Sequence, residues 1–217
     1  MPQSSDPAGR LRIEVWADLI CPWCYIGKRR LEAALAKTQA DADIVWRSFE
    51  LAPNAGTRAE VGDVAYLAKK YRIPAAQAQK MIDNVTGIAA GDGLEYHLER
   101  TRTGNSFDGH RIVHLGLASG VQDAVMERLM RAHFTEGRAL DDHATLVELA
   151  VEAGLTEATV REVLAGDRHA SDVRADEARA RELGITGVPF FVLAGRIGVS
   201  GAQPAEVLAQ AITQARG

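Results

Sequence analysis

Strand-like stretches at both ends of the chain, separated by a long block of helical pattern, leave few folds open to it. LRIEVWA (11–17) alternates apolar and polar residues as a half-buried strand does. After Cys21 the period changes: Ile26, Leu31, Leu35 and the neighbouring alanines line one face, and Lys28, Arg29, Arg30 and Lys37 the other. That pattern predicts an amphipathic helix from about Cys21 to Thr38, with the basic run as its solvated side. ADIVWRSFEL (42–51) reads as a second strand, followed by a turn-like APNAG. From about Thr57 to Gly166 every segment reads as helix. Pro74 stands at a tolerated first-turn position, Asn105 or Ser106 is a cap, and Gly137 and Gly154 are stops. Ser171 then opens a helix, VPFFVLAG is β-rich, RIGVSG alternates, and QPAEVLAQAITQ closes the chain as helix.

The order is therefore β-α-β, a helical block, then α-β-β-α. The two ends read as one discontinuous α/β domain, residues 10–53 and 171–217, interrupted by a helical insertion at 57–170. A length of 217 residues suits one such domain, and an apolar fraction of 47% with 25% charged residues is ordinary for a globular protein. A net charge of −4 gives no electrostatic reason to expect nucleic acid or an anionic membrane as partner. The opening MPQSSDPAGR is polar, and the first apolar stretch is broken by Arg12, Glu14 and Asp18. Neither a signal peptide nor a membrane span is visible, so a cytoplasmic location is expected. That compartment is reducing, which makes a structural disulfide a poor use of cysteine.

Only two cysteines occur, Cys21 and Cys24, in the stretch DLICPWCYIGKRRLE. They sit where the first strand gives way to the first helix. A thiol there faces unpaired backbone N–H groups and the positive end of the helix dipole, which favour the nucleophilic thiolate. Pro22 fits the first turn, where its missing N–H is not needed. Cys24 follows on the same turn, placed to resolve a mixed disulfide formed on Cys21. Two other readings stand beside this one. The pair could be half of a zinc site, which His110 and His114 would have to complete, although no known spacing links the two pairs. It could also be two inert core residues, a reading the helix-start position argues against. Far away, GITGVPFFVLAG places Val188-Pro189 at the start of a strand, where the X–Pro bond is either trans at a strand edge or cis.

CPWCYIGKRRLE, NSFDGHRIVHL, and GITGVPFFV followed by SGAQP together resemble the FrnE-type branch of the DsbA-like oxidoreductases, over about Arg12 to Gln214. The resemblance implies a thioredoxin fold with a large all-helical insertion between the βαβ half and the C-terminal ββα half. It implies dithiol–disulfide exchange with Cys21 as exposed nucleophile, Cys24 as resolving thiol and Pro189 as a cis-proline beside them. The Val188 backbone would pair with an extended substrate, a form of strand addition. Pro22 and Trp23 would shape the substrate surface, and Asn105, Phe107 and His110 would line the groove. Asp18 is expected to cap the turn before the helix, with proton transfer as its other role. Expected partners are a disulfide-containing protein or a small thiol. No cofactor or metal is implied, and glutathione is the one co-substrate that a groove near Val188 and Ser200 would take. Strongly oxidising relatives carry histidine where this chain has Trp23, so a reductase or isomerase direction is expected. Glutathione-dependent isomerases similar to 2-hydroxychromene-2-carboxylate isomerase, and kappa-class glutathione transferases, share the layout and offer the alternative function. They typically place serine at the position of Cys21. A redox-inert binding module is the third alternative.

Overall fold

The computed structural model describes residues 10–55, 63–102 and 104–217. The chain divides into two compact units, one formed by residues up to Leu51 together with Ala170–Gly217, the other by Ala52–His169.

The first unit is a four-stranded mixed sheet in the order β2-β1-β3-β4. β1 (Leu11–Ala17) and β2 (Ala42–Ser48) are parallel, joined by the crossover helix α1 (Pro22–Thr38). β3 (Phe190–Leu193) runs antiparallel to β1 and turns back tightly into β4 (Ile197–Ser200). The hairpin turn places Ala194 and Gly195 at positive φ, the geometry that matches the twist of paired strands. Helices α8 (Ala170–Glu182) and α9 (Ala205–Arg216) complete the unit. The sheet is a mixed α/β core of the thioredoxin type.

Strand alternation sorts the two faces. Trp16 and Glu14 point to the side of α8: the Trp16 indole N–H donates to the Asp176 carbonyl at 3.0 Å, and Glu14 accepts from Arg179 at 3.0 Å. Around Trp16 a buried cluster forms from Ala180, Ile185 and Val192, with Phe49, Val188 and Phe190 packed against it. Polar groups buried on this face are closely matched. The Asp176 carboxylate accepts from the Ser48 backbone N–H at 2.9 Å and from Arg47 at 3.1 Å, and Arg47 also reaches Glu14 at 2.6 Å. A buried carboxylate with several donors is tolerated where a lone one is not.

Val15 lies opposite Phe191 in the ladder and so shares the other face, toward α1. There Gly27 brings the α1 backbone against the Pro189 ring. A Cβ at Gly27 would stand 2.9 Å from Pro189 Cγ and 3.3 Å from Phe191 Cζ. Glycine inside a helix is unfavourable on its own, so the close approach accounts for it.

Several expectations need correction. The basic run of α1 is not a solvated face: Lys28 is 3% exposed and paired with Glu32, and Arg29 lies over the Tyr25 ring at 4.9 Å. β2 ends at Ser48 rather than continuing to Leu51, because the Leu51 N–H turns aside to the Asp18 carboxylate at 2.7 Å. α8 starts at Ala170, directly after His169 at φ 66°, and not at Ser171.

The second unit contains α2 (Asp63–Tyr71), α3 (Ala75–Gly91), α4 (Phe107–Ala118), α5 (Gln122–Phe134), α6 (His143–Glu152) and α7 (Glu157–Ala165). The expected helical start at Thr57 lies outside the described residues. Between α3 and α4 the described residues are largely irregular rather than helical, with a 3₁₀ turn at Leu98–Arg100. The His97 N–H donates to the Phe134 carbonyl at 2.7 Å and holds this stretch in place. α4 packs on α5, α6 and α7. Arg111, 4% exposed, satisfies the open end of α7 by donating to the Gly166 carbonyl at 2.6 Å, as well as to Val163 and Arg168. No described helix is long and apolar enough to cross a membrane.

The Gly27 contact yields a prediction of sign. In an unobstructed helix Gly→Ala stabilises by about 0.5–1 kcal/mol. At Gly27 the new methyl meets Pro189, and overpacking costs roughly 1–3 kcal/mol. Gly27→Ala is therefore expected to lower the urea midpoint, with a net loss of about 1 kcal/mol. A gain in stability would show that Pro189 does not sit on α1.

Candidate active site

β1 delivers the chain to Asp18, and the residues from there to α1 form a tight turn. The Cys21 N–H donates to the Asp18 carbonyl at 3.2 Å, and the Ile20 N–H approaches the Asp18 carboxylate at 3.4 Å. Asp18 is fully buried, and its second oxygen takes the Leu51 N–H. This carboxylate thus fixes the turn, as expected, and also ties it to the end of β2.

Cys21 is the N-cap of α1, with extended backbone (φ −93°, ψ 112°) and Pro22 at the first helical position. Its carbonyl accepts the Cys24 N–H at 2.9 Å. The two thiols therefore share one turn, and both are free. They differ less in access than the resemblance implies. Cys21 is 4% exposed and Cys24 0%, so Cys21 shows only an edge to solvent and is not an exposed nucleophile. The physical reason is the neighbouring segment that precedes β3: the Cys21 Sγ lies 3.7 Å from the Val188 carbonyl, to which its S–H donates.

Cys24 holds its proton tightly. Burial pushes its pKa well above the ordinary thiol value, and the hydrogen bond and charge of Cys21 push the same way. The Asp18 carboxylate adds a smaller upward effect, and a hydrogen bond from the Asp18 backbone opposes it. The site thus pairs a surface-edge thiol with a buried, protonated one.

The Val188–Pro189 peptide bond is cis, and Pro189 is buried on Gly27. Val188 lies outside the strand ladder, which begins at Phe190. Trp23 is 37% exposed and Pro22 half-buried, so both present surface beside the thiols. Five of the expected site residues (Cys21, Cys24, Pro22, Trp23, Val188) and Pro189 thus belong to the first unit.

Asn105, Phe107 and His110 belong to the second. The Asn105 carbonyl oxygen accepts the Phe107 N–H at 2.8 Å, and its amide donates to the Pro53 carbonyl at 3.0 Å. Arg111 lies 5.9 Å from the centre of the Phe107 ring. His110 is 1% exposed within α4, and His114 stacks on His169 at 6.2 Å. Among the described residues, no group of three or more His, Cys, Asp or Glu is placed to hold a metal ion. Gly27 is not among the expected site residues; a glycine inside a strongly patterned helix is the sequence signal that points to it.

A vicinal dithiol at the start of the crossover helix of a thioredoxin-type sheet defines a thiol–disulfide oxidoreductase. The chain belongs to the DSBA-like thioredoxin domain family, whose model matches residues 12–213. A solved probable DsbA oxidoreductase from Streptomyces coelicolor is 45% identical, with a TM-score of 0.89 over 95% of this chain and 90% of that one. The cytosolic disulfide reductase DsbM from Pseudomonas aeruginosa is 22% identical, with a TM-score of 0.67 over 94% of this chain and 98% of that one, and has also been solved with GSH. An uncharacterized protein, YwbO, from Bacillus subtilis is 26% identical, covering 94% of this chain and 96% of its own.

The raised pKa of Cys24 predicts how the two thiols react. An acid whose pKa is raised stays protonated to higher pH, so little Cys24 thiolate exists near neutrality. With Cys21→Ser, iodoacetamide alkylation of native Cys24 should still be accelerating above pH 9. At pH 7.5 it should be at least about tenfold slower than alkylation of Cys21 in Cys24→Ser. Equal rates at pH 7.5 would contradict the assignment of Cys24 as the buried thiol.

Proposed function

We propose that this chain carries out thiol–disulfide exchange through Cys21 and Cys24, in the reductase or isomerase direction, as a FrnE-type cytoplasmic enzyme. The observation that carries this reading is the pairing of Cys21, at the helix start against the Val188 carbonyl, with a buried, protonated Cys24 on the same turn. The Cys21 thiolate attacks one sulfur of a substrate disulfide. A Cys21–substrate disulfide forms, the substrate S–S bond breaks, and the departing thiolate takes a proton. Cys24 then loses its proton and attacks the Cys21 sulfur, which releases the second substrate thiol. The products are a Cys21–Cys24 disulfide and a substrate dithiol, so two electrons pass to the substrate. The buried Asp18 carboxylate, close enough to influence Cys24, is the group suited to take the Cys24 proton. Loss of the Cys21 proton also frees the Val188 carbonyl to accept a backbone N–H from an extended substrate.

Two further points support the direction. Trp23 offers only a neutral N–H donor between the thiols and cannot carry the positive charge that would favour the reduced form. The DsbM relative is described as a cytosolic disulfide reductase and has been solved with GSH. By extension, a protein disulfide or a small thiol such as glutathione is the substrate class, with glutathione the reductant of the oxidised pair. The assignment of Asn105, Phe107 and His110 to substrate binding rests on the family resemblance alone.

With a thiol reductant, the protein should reduce insulin, measured as precipitation of the free B chain. Cys21→Ser should abolish the activity. Cys24→Ser should instead accumulate adducts that carry substrate on Cys21, because the resolving thiol is gone. Full activity in Cys21→Ser would refute the proposal.

A further inference from the structure

Arg30 lies on α1, in the basic run that the sequence pattern assigns to solvent. Its guanidinium instead donates to the Ala202 carbonyl at 2.6 Å, across 172 positions of chain. Ala202 belongs to the turn that follows β4. That turn begins at Gly201, whose φ of +79° is one that side-chain-bearing residues rarely adopt. The Gln203 N–H donates to the Gly201 carbonyl at 2.9 Å, and the Gln203 amide donates to the Ser200 carbonyl at 2.9 Å. These two bonds close the turn on itself. The Gly201 N–H then donates to the Pro189 carbonyl at 2.8 Å.

This last bond has a particular position. The β3 ladder pairs Phe190 with both Trp16 and Ser200 and extends no further back. Pro189 has no N–H of its own, and Val188 turns its carbonyl to Cys21. Past the ladder, the Pro189 backbone is hydrogen-bonded through Gly201. A connected series therefore runs from the Arg30 guanidinium to Ala202, from Gly201 to Pro189, and from Val188 to the Cys21 sulfur. α1 holds the segment at two points, through Gly27 beneath the Pro189 ring and through Arg30 at the turn behind it. An arginine suits the second role: its long stem spans from helix to turn, and a charged donor makes a stronger bond to a carbonyl than a neutral one.

We propose that Arg30 is a positioning residue for the substrate-pairing segment Val188–Pro189, acting through the Gly201–Ala202 turn. The inference rests on the reading of Cys21 and Cys24 as the exchanging pair. Arg30 acts through the turn rather than on a thiol. It fixes where Val188 offers its backbone to an extended chain, so it affects peptide substrates more than disulfides that have no backbone to pair.

The test compares Arg30→Ala and Arg30→Lys with the natural protein on two substrates, an extended peptide disulfide and hydroxyethyl disulfide. Arg30→Ala is expected to raise the KM for the peptide about tenfold relative to that for the small disulfide, the scale of one lost charged hydrogen bond. Arg30→Lys, which can still donate to one carbonyl, should recover most of the difference. Amide exchange supplies a readout independent of activity: the Gly201 N–H should exchange about tenfold faster in Arg30→Ala. The inference is overturned if both substrates are affected alike, if neither is, if lysine restores nothing, or if Gly201 exchange is unchanged. If the natural protein reduces neither substrate, the reading of the site itself fails and this inference with it, which is a separate and recognisable result.

Discussion

The packing of Pro189 against the bare backbone of Gly27 is the contact on which the site depends. Without a side chain at Gly27, α1 and the start of β3 come close enough for the Val188 carbonyl to reach the Cys21 sulfur. Two segments separated by most of the chain are thus joined at one point. The start of α1 contributes both thiols, and the Val188–Pro189 segment just before β3 contributes the backbone that faces Cys21. A methyl group at Gly27 would meet the Pro189 ring and press the two segments apart.

The rest of the sheet serves to hold that joint still. Behind it, the Trp16 cluster and the Asp176 carboxylate bind α8 to the sheet with matched hydrogen bonds rather than with apolar contacts alone. Asp18 does similar work at the mouth of the turn, where its two oxygens serve backbone donors of Ile20 and Leu51. Such groups are costly to bury unpaired, so each one constrains the geometry around it. The same burial makes Cys24 a poor thiolate, as the proposed exchange requires of a thiol that acts second.

Much of this was legible in the sequence where the signal is local. Strand alternation in LRIEVWA and helix periodicity after Cys21 located β1 and α1, and the motif at their junction named the two thiols. The reversion to strand pattern after the helical block located β3 and β4. What the sequence hid depends on tertiary partners. Lys28, Arg29 and Arg30 read as solvated because charges usually are, yet Lys28 is buried beside Glu32 and Arg30 reaches Ala202. The strand pattern runs three residues past the end of β2 because the acceptor for Leu51 is a side chain on another element. The chain between α3 and α4 reads as helix because its buried apolar residues, such as Leu94 and Tyr96, face a core that no local period announces.

The central claim is that Cys21 and Cys24 form one two-electron couple. Equilibration of the protein with graded glutathione buffers, followed by acid quenching and mass measurement, tests it most directly. The account predicts a single transition, with loss of two hydrogens per chain and a Cys21–Cys24 bridge in the peptide map. Its potential should be more negative than the approximately −120 mV of DsbA. Oxidation that stops at glutathione adducts on separate cysteines, or a couple as oxidising as DsbA, would contradict it.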